Sequence, residues 1–166
     1  MVNDCSTDKT AQICKNNKFN YINLPINLGI GGAVQTGYRY AYENGYDMAV
    51  QVDGDGQHDA VFLSKMAETM KKEKADKKGF QSSRTRRMGI LYFTWLIKLF
   101  SHETITDPTS GLRMIGKDVI KMFAHNYPKD YPEPETAVAV LRSGKKIVEI
   151  PVIMRQRQGG VSSINM

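Results

Sequence analysis

The segment Met48–His58 constrains the fold of this 166-residue chain more than any other. It reads MAVQVDGDGQH, an apolar, β-branched run that stops at two aspartates, Asp53 and Asp55. A short apolar run bounded by glycines is typical of a buried strand. Carboxylates at the end of a strand make an oxygen-rich site that suits Mg²⁺ or Mn²⁺, usually completed by substrate phosphates and water. Because ligands of open α/β sheets bind at the strand ends, the segment predicts metal-dependent binding of a phosphorylated ligand.

Gln57 extends this candidate metal site. Alternate residues of an extended segment point to the same side, so Asp53, Asp55 and Gln57 could face one ion. An EF-hand loop also begins with Asp-x-Asp, but its sixth position would be His58 instead of glycine and its twelfth Ser64 instead of glutamate. Turn-forming aspartates on the surface are the structural alternative. His58 is either a further ligand or a histidine of a solvated loop.

Composition limits the remaining function classes. The length fits a single domain, 1–166, and an apolar share of 41% is too high for disorder. The net charge of +6 allows anionic partners such as nucleic acid, acidic lipid or sugar-nucleotide phosphate. The aromatic residues are not interleaved with the basic ones as a stacking platform requires, so we expect no nucleic-acid partner.

Cysteine content and hydropathy bear on the compartment. Cys5 and Cys14 form neither a disulfide framework nor a zinc pattern, so we expect free thiols in a reducing compartment. The sequence shows no signal peptide and no apolar run long enough to span a bilayer. We therefore expect a cytoplasmic protein. A basic run, Arg84–Arg87, precedes the apolar segment Gly89–Phe100. The two together indicate either a peripheral contact with the inner face of the membrane, or a core helix preceded by solvent-exposed basic residues.

Strands alternate with helices along the chain, which predicts a mostly parallel α/β sheet flanked by helices. The first predicted helix ends at Asn16 and could be capped by Ser6 or Thr7. The other predicted helices are Ala33–Glu43, Ala60–Lys74, Lys117–Phe123 and Glu133–Arg142. The first predicted strand ends at Val2. The other predicted strands are Phe19–Leu24, Asp47–Val52, Phe80–Ser83, a short strand within Thr104–Ile115, and Lys146–Met154.

The glycine-rich turn Gly29–Ala33 is similar to a phosphate-binding turn at a helix N-terminus. The strand before it is short and contains Pro25, and no acidic residue ends a second strand at the distance that a dinucleotide site requires. Glycines for close helix packing are therefore the better interpretation, with dinucleotide binding the alternative. Support of a bound phosphate by the helix dipole stays open.

Three further places combine a functional and a structural interpretation. Asp4 directly follows a strand, where its carboxylate could accept the N3–H of a uracil or guanine-type base or could simply shape a turn. The segment 155–163 reads as an anion clamp or as a basic tail. Glu133 and Glu135 lie in the first turn of a helix, where the dipole favours carboxylates and where one could also act as a general base.

Together these features resemble family-two glycosyltransferases of the GT-A fold, and within that family the dolichyl- or polyprenyl-phosphate sugar transferases and their bacterial relatives. The motifs that carry the resemblance follow one another along nearly the whole chain: Asn3–Asp8, Asn27–Gly29 with the helix to Gly37, Asp53–Gln57, Ser83–Arg84, Asp107–Arg113, Glu133–Glu135 and Arg157–Ser162.

The resemblance implies a role for each matching residue of the donor side. Asp4 corresponds to the aspartate that reads the nucleotide base. Asp53 and Asp55 correspond to the aspartate pair that binds Mg²⁺ or Mn²⁺, with Gln57 as a further ligand. Arg157 corresponds to the loop arginine that grips the donor diphosphate, so Asp4, Asp53 and Arg157 are the nucleotide-sugar-binding candidates.

On the acceptor side, the resemblance implies that Arg84 meets the phosphate of a lipid acceptor and that Ser110 and Arg113 line the acceptor segment. The candidate catalytic residues are all acidic, and they are Asp107, Glu133 and Glu135. The implied reaction is the inverting, metal-dependent transfer of a sugar from a nucleoside-diphosphate sugar to a polyprenyl-phosphate or saccharide acceptor, in cell-wall or polysaccharide biosynthesis.

The chain departs from the family pattern at its beginning. Only Met1 and Val2 precede the first turn, so we expect a domain that lacks the family's first strand and helix, and Asn3 stands where many relatives have aspartate. We likewise expect a domain without the transmembrane helices that often follow the catalytic domain in this family. The alternative to an active transferase is therefore a catalytically inactive, transferase-like module that binds anionic lipid or a protein partner.

Overall fold

A computed structural model describes residues 1–73, 77–78, 105, 110–129, 132–153 and 155. The strands in these ranges are β1 (Val2–Asn3), β2 (Ile22–Asn23), β3 (Met48–Gln51), β4 (Lys77–Lys78), β5 (Arg113–Gly116) and β6 (Ile147–Val148). The helices are α1 (Thr10–Asn16), α2 (Gly29–Glu43), α3 (Val61–Glu73), α4 (Lys117–His125) and α5 (Pro132–Arg142). No helix within the described ranges is both long enough and apolar enough to cross a bilayer.

The described strands form a parallel pair, β1–β2, and a four-stranded sheet in the order β3–β5–β4–β6. β5 runs antiparallel to both of its neighbours, whereas β4 and β6 are parallel. Strand–helix alternation predicted a mostly parallel sheet, and β5 is the exception. Its direction has a consequence for the site, because Arg113 at the start of β5 pairs with Gln51 at the end of β3. The turn that leads into β5 therefore lies beside the loop that leaves β3.

Helices cover both faces of the sheet. Successive side chains of a strand point to opposite faces. In β5, Ile115 packs into a core with residues of α2, α4 and α5, whereas Met114 packs into a second core with Met66 and Met70 of α3. The first core includes the mutual ring contacts of Tyr38, Phe123 and Tyr127. The chain thus has the layered α/β arrangement that the sequence predicted.

The helix α2 begins at Gly29 and not at the predicted Ala33. Gly29, Gly31 and Gly32 therefore lie in the first turn of the helix. A methyl group at Gly31 would lie 2.4 Å from the carbonyl oxygen of Pro128 and 2.5 Å from that of Lys129. Such a distance is far below van der Waals contact, so only glycine lets the helix approach this loop. The interpretation of these glycines as packing residues is confirmed at Gly31.

Other predicted boundaries of helices and strands also differ from those in the structure. Helix α1 begins at Thr10, whose N–H donates to the side chain of Asp8 at 2.8 Å, so neither Ser6 nor Thr7 caps it. The hydrogen bond from the Thr10 side chain, and after it the one from the Thr10 N–H, lower the pKa of the Asp8 carboxyl. Among the described residues of the predicted strand Lys146–Met154, the ones that pair are Ile147–Val148. The predicted strand Phe80–Ser83 and the segments Arg84–Arg87 and Gly89–Phe100 lie outside the described residues.

Candidate active site

The turn after β1 carries Asp4, the predicted base-reading residue. Its Oδ1 atom accepts the backbone N–H of Leu28 at 2.7 Å, and its backbone carbonyl accepts the side-chain amide of Asn27 at 3.1 Å. Asn27 Oδ1 accepts the N–H of Gly29 at 3.0 Å, which ties this loop to the start of α2. The Asp4 residue is only partly buried. Asp4 thus lies at the carboxyl end of β1, beside the N-terminus of α2, with part of its surface open to solvent.

Asn3 anchors this turn from inside. Its side chain is 6% exposed, donates to Asn23 Oδ1 at 2.6 Å and accepts the Ser6 hydroxyl at 2.6 Å. Cys5, two residues after Asn3, has a positive φ of 54°, a conformation that is uncommon outside glycine. The buried amide and the unusual backbone together fix the direction in which the turn leaves β1.

Asp53 lies just past β3, against the turn that leads into β5. A methyl group at Gly111 would lie 2.2 Å from Asp53 Oδ2 and 3.1 Å from Oδ1. The carboxylate therefore packs directly on the Gly111 backbone, a contact that no larger residue permits without movement. Asp53 is exposed and Asp55 is partly buried, and Asp55 Oδ1 accepts the N–H of Gln57 at 3.0 Å. The two aspartates thus leave β3 in a tight loop, with the Asp53 residue open to solvent.

The far end of this loop is fixed to α3 and to the chain near its C-terminus. The Gln57 carbonyl accepts the N–H of Arg155 at 2.9 Å, and the Arg155 guanidinium pairs with Asp59. Asp59 also accepts the N–H of Val61, the first residue of α3, at 3.1 Å. Within the described part of the chain, the buried Nδ1 atom of His58 has no hydrogen-bond partner. The loop 53–59 therefore has a defined end beside Arg155, two residues before Arg157.

Arg113 is buried behind the site. Its side chain is 5% exposed, and its Nε donates to the Ser110 carbonyl at 2.6 Å. Its Nη1 donates to the Glu133 carbonyl at 2.8 Å and to Thr136 Oγ1 at 2.5 Å. The Ser110 side chain is also buried, and its hydroxyl accepts the N–H of Leu112 at 3.3 Å. These bonds join the turn before β5 to the first turn of α5.

Tyr127 is a site neighbour that the sequence analysis missed. Its hydroxyl approaches Gln51 Oε1 at 3.5 Å, at the end of β3. Burial raises the pKa of the Tyr127 phenol far above its ordinary range; the charge of Arg113 opposes that rise, and the charges of Glu133 and Asp53 add to it. Tyr127 thus lies within electrostatic reach of both Asp53 and Glu133. It follows a helix in an irregular segment, where periodicity gives no indication of burial.

The predicted site residues fall into two groups. Those that the structure describes are Asp4, Asp53, Asp55, Gln57, Ser110, Arg113, Glu133 and Glu135. Asp53, Ser110, Arg113 and Glu133 lie around one junction of β3, β5 and α5, while Asp4 lies at the end of β1. Glu133 is partly buried and Glu135 is exposed in the first turn of α5. Arg84, Asp107 and Arg157 lie outside the described residues, and their roles stay predictions.

The donor atoms after β3 suit a hard cation. The carboxylates of Asp53 and Asp55 and the amide oxygen of Gln57 are the ligand types that Mg²⁺ and Mn²⁺ prefer. Among the described residues, no group of three or more histidine, cysteine or acidic side chains is placed to hold a metal by itself. Magnesium is commonly held by one or two carboxylates and completed by substrate phosphates. The donor set therefore fits a cation that binds together with a phosphorylated ligand.

Comparison with known proteins identifies the family. The model of the family described as glycosyl transferase family 2 matches residues 1–123, which include β1 to β5 and most of α4. The chain belongs to glycosyl transferase family 2. The resemblance inferred from the motifs is thereby confirmed.

Two curated relatives carry more specific names. A UDP-N-acetylglucosamine–dolichyl-phosphate N-acetylglucosaminyltransferase from Methanococcus voltae is 31% identical over 138 residues, which cover 76% of this chain and 55% of the relative. An undecaprenyl-phosphate mannosyltransferase from Micrococcus luteus is 28% identical over 157 residues, which cover 82% and 61%. The chain thus spans little more than half the length of these relatives.

A solved structure supports the fold. TarS from S. aureus, residues 1–349, superposes with a TM-score of 0.56 at 16% sequence identity, and the match covers 90% of this chain and 47% of that one. At this identity the likeness concerns the fold alone. Together with the family match, it confirms the GT-A type α/β fold.

Proposed function

We propose that the protein transfers a sugar from a nucleoside-diphosphate sugar to a polyprenyl-phosphate acceptor, with a saccharide acceptor as the less specific alternative. Family membership and the names of two relatives support the reaction class. The observation that carries the proposal is the junction of Asp53, Gly111 and the first turn of α5. The Asp53 carboxylate packs on the turn at Gly111, and Arg113 links that turn to the helix that bears Glu133 and Glu135.

Transferases of the GT-A fold often use a divalent metal. In this protein Asp53, Asp55 and Gln57 would hold Mg²⁺ or Mn²⁺ together with the donor diphosphate. When bound, the cation supplies positive charge to the leaving diphosphate, where negative charge builds as the glycosidic bond breaks. Asp4, held in its turn by Leu28 and Asn27, would accept a hydrogen bond from the nucleotide base.

The acceptor determines how much proton transfer the protein must provide. In a direct displacement with inversion, an acceptor oxygen attacks the anomeric carbon and the nucleoside diphosphate leaves. A phosphate acceptor is already ionised and needs little help from a general base. A hydroxyl acceptor would transfer its proton to a carboxylate, for which Glu133, Glu135 and Asp107 are the candidates.

Two arginines are proposed from the sequence alone to bind phosphate groups. Arg84 would bind the phosphate of the acceptor, and Arg157 would bind the diphosphate of the donor.

The setting of the reaction is also a proposal. The net charge of +6 favours anionic ligands, and nucleotide sugars and polyprenyl phosphates are both anionic. A lipid acceptor would require contact with a membrane surface, so we propose peripheral association with the inner face of the cytoplasmic membrane.

Calorimetric titration with UDP and GDP, each with and without Mn²⁺, tests the donor site. We expect Mn²⁺ to strengthen binding of one nucleotide in the wild type and Asp53→Asn and Asp55→Asn to weaken it at least about tenfold, because one charged ligand is lost. Asp47→Asn is the matched control, since Asp47 lies before β3 and pairs only at the surface with Lys117. Equal Mn²⁺-dependent affinity in all four proteins would contradict the proposal.

A turnover assay separates a transferase from a binding module. Release of nucleoside diphosphate from a nucleotide sugar, dependent on added polyprenyl phosphate, supports transfer. Binding of nucleotide with no release under any acceptor condition would favour the transferase-like binding module.

A further inference from the structure

We propose that Arg113 is a positioning residue that couples the donor side of the site to its acceptor side, holding Asp53 and the first turn of α5 in one arrangement. This inference rests on the proposed function. It differs from the sequence-based expectation that Arg113 lines the acceptor segment, because it assigns the guanidinium an internal task.

The first support is the burial of the charge. A guanidinium that is 5% exposed is destabilising unless hydrogen bonds replace its lost hydration. Arg113 has such bonds to Ser110, Glu133 and Thr136, at 2.5–2.8 Å. Thr136 is itself 1% exposed and its hydroxyl donates to the Glu133 carbonyl at 3.0 Å. The guanidinium is therefore part of a buried hydrogen-bond network and has little exposed surface with which to contact the acceptor substrate.

The second support is what the network joins. The Ser110 carbonyl belongs to the turn whose next residue, Gly111, lies against the Asp53 carboxylate. The Glu133 carbonyl and the Thr136 hydroxyl belong to the first turn of α5, which carries the candidate bases. The Arg113 side chain thus bonds to the backbone of both segments, the turn at Ser110 and the first turn of α5. Movement of the guanidinium would shift the Gly111 backbone and the α5 turn relative to each other.

The third support is the choice of residue. Arginine presents several N–H groups in a rigid planar fork, whereas lysine carries a single ammonium on a flexible stem. Nε and Nη1 of Arg113 point to two different segments, 110 and 133–136. An ammonium at position 113 could keep the charge but could not hold both segments at these distances.

The test compares Arg113→Lys, Thr136→Val and the control Arg142→Lys, an exposed arginine at the end of the same helix. Nucleotide affinity is measured with Mn²⁺ and without any acceptor. A positioning role predicts a loss of at least about tenfold for Arg113→Lys, a smaller loss in the same direction for Thr136→Val, and no change for Arg142→Lys. Wild-type donor affinity in Arg113→Lys, with only the acceptor KM raised, would overturn the inference in favour of direct acceptor contact.

Amide hydrogen exchange of the ligand-free proteins keeps this inference separable from the proposed function. We expect Arg113→Lys to speed exchange in both segments, 110–112 and 133–136, with wild-type rates in α2. If the wild type binds no nucleotide, the proposed function fails, and exchange still decides whether Arg113 couples the two segments. Faster exchange in only one segment, or in neither, would overturn the coupling.

Discussion

Two residues without side chains determine how closely their neighbours approach in this protein. At Gly111 the neighbour is the carboxylate of Asp53, and at Gly31 it is the backbone at Pro128–Lys129. The sequence placed Asp53 at the end of a strand, because an apolar run followed by Asp-Gly-Asp has few other interpretations. It could not indicate the contact with Gly111, which depends on the antiparallel entry of β5 beside β3.

Gly111→Ala tests this contact. The added methyl group would lie 2.2 Å from Asp53 Oδ2, so the carboxylate must move away from its present position. We expect Mn²⁺-dependent nucleotide affinity to fall by about tenfold to a hundredfold, since misplacement on this scale has large effects at reactive sites. Calorimetric titration measures the affinity.

The control is Gly54→Ala in the same site, where a methyl group meets no atom within 4 Å. We expect it to retain wild-type affinity. Equal Mn²⁺-dependent nucleotide affinities in Gly111→Ala and Gly54→Ala would show that the position of Asp53 against Gly111 does not affect binding.

At the scale of elements, periodicity located most helices but not their ends. Apolar spacing predicted α3 as Ala60–Lys74, and the helix spans Val61–Glu73. The start of α2 was wrong by four residues because a run of glycines reads as a turn, although here it is the packed first turn of the helix. β4 is Lys77–Lys78, two residues without any apolar pattern, and no sequence rule would have found it.

Two glycines of α2 give opposite predictions for stability. Gly31→Ala forces a methyl group to within 2.4 Å of the Pro128 carbonyl oxygen, so we expect a loss of about 1–3 kcal/mol in the free energy of unfolding. At Gly37 the methyl group would lie 3.6 Å from the Val2 side chain, an ordinary contact, so the better helix propensity of alanine should add up to about 1 kcal/mol. Urea unfolding measures both. A similar change in both variants would refute the packing role of Gly31.

Asp59 makes two separable contributions to α3. Asparagine at this position keeps an oxygen for the Val61 N–H but removes the ion pair with Arg155, whose side chain is 60% exposed. We expect Asp59→Asn to cost less than about 1 kcal/mol, since exposed ion pairs contribute little. Asp59→Ala should cost about 1 kcal/mol more, because the helix also loses its first-turn acceptor. Urea unfolding of the two variants checks this order, and equal losses would argue against the side-chain bond to Val61.

At the scale of the whole molecule, an aromatic cluster joins α2, α4 and the chain that follows α4. The ring centroids of Tyr38, Phe123 and Tyr127 lie 5.2–5.8 Å apart. Burial raises the pKa of Tyr38 far above its ordinary value, and proximity to Tyr127 adds to the rise. Because the folded-state pKa is raised, the stabilising contribution of the neutral phenol is complete below pH 10 and is lost as the pH rises above the unfolded pKa of about 10.

Stability should therefore fall at alkaline pH in a way that depends on Tyr38. Between pH 9 and pH 11 the unfolded state gains about 1 kcal/mol from ionising one such tyrosine. We expect Tyr38→Phe to lose about that much less stability over this interval than the wild type, whereas Tyr46→Phe, at a 52% exposed position, should follow the wild type. Urea unfolding at both pH values decides this. Identical pH dependence in all three proteins would contradict the burial of the Tyr38 phenol.

The order of motifs along the chain predicted the family, because seven short segments in one sequence order are far more specific than any of them alone. The same motifs do not by themselves indicate the direction of each side chain. Arg113 belongs to a motif of the acceptor side, yet its side chain lies inside, bonded to Ser110, Glu133 and Thr136. A sequence pattern gives residue types, whereas the direction of the Arg113 side chain follows from the hydrogen-bond partners that the first turn of α5 offers it.

The proposed function depends on a divalent cation that the carboxylates after β3 would hold and that would dock the diphosphate of an activated sugar. Anomalous diffraction at the manganese edge, from crystals grown with Mn²⁺ and a nucleoside diphosphate, tests this most directly. We expect one strong peak between the carboxylates of Asp53 and Asp55 and the phosphate oxygens. Ordered nucleotide with manganese bound elsewhere, or with no manganese peak, would contradict it.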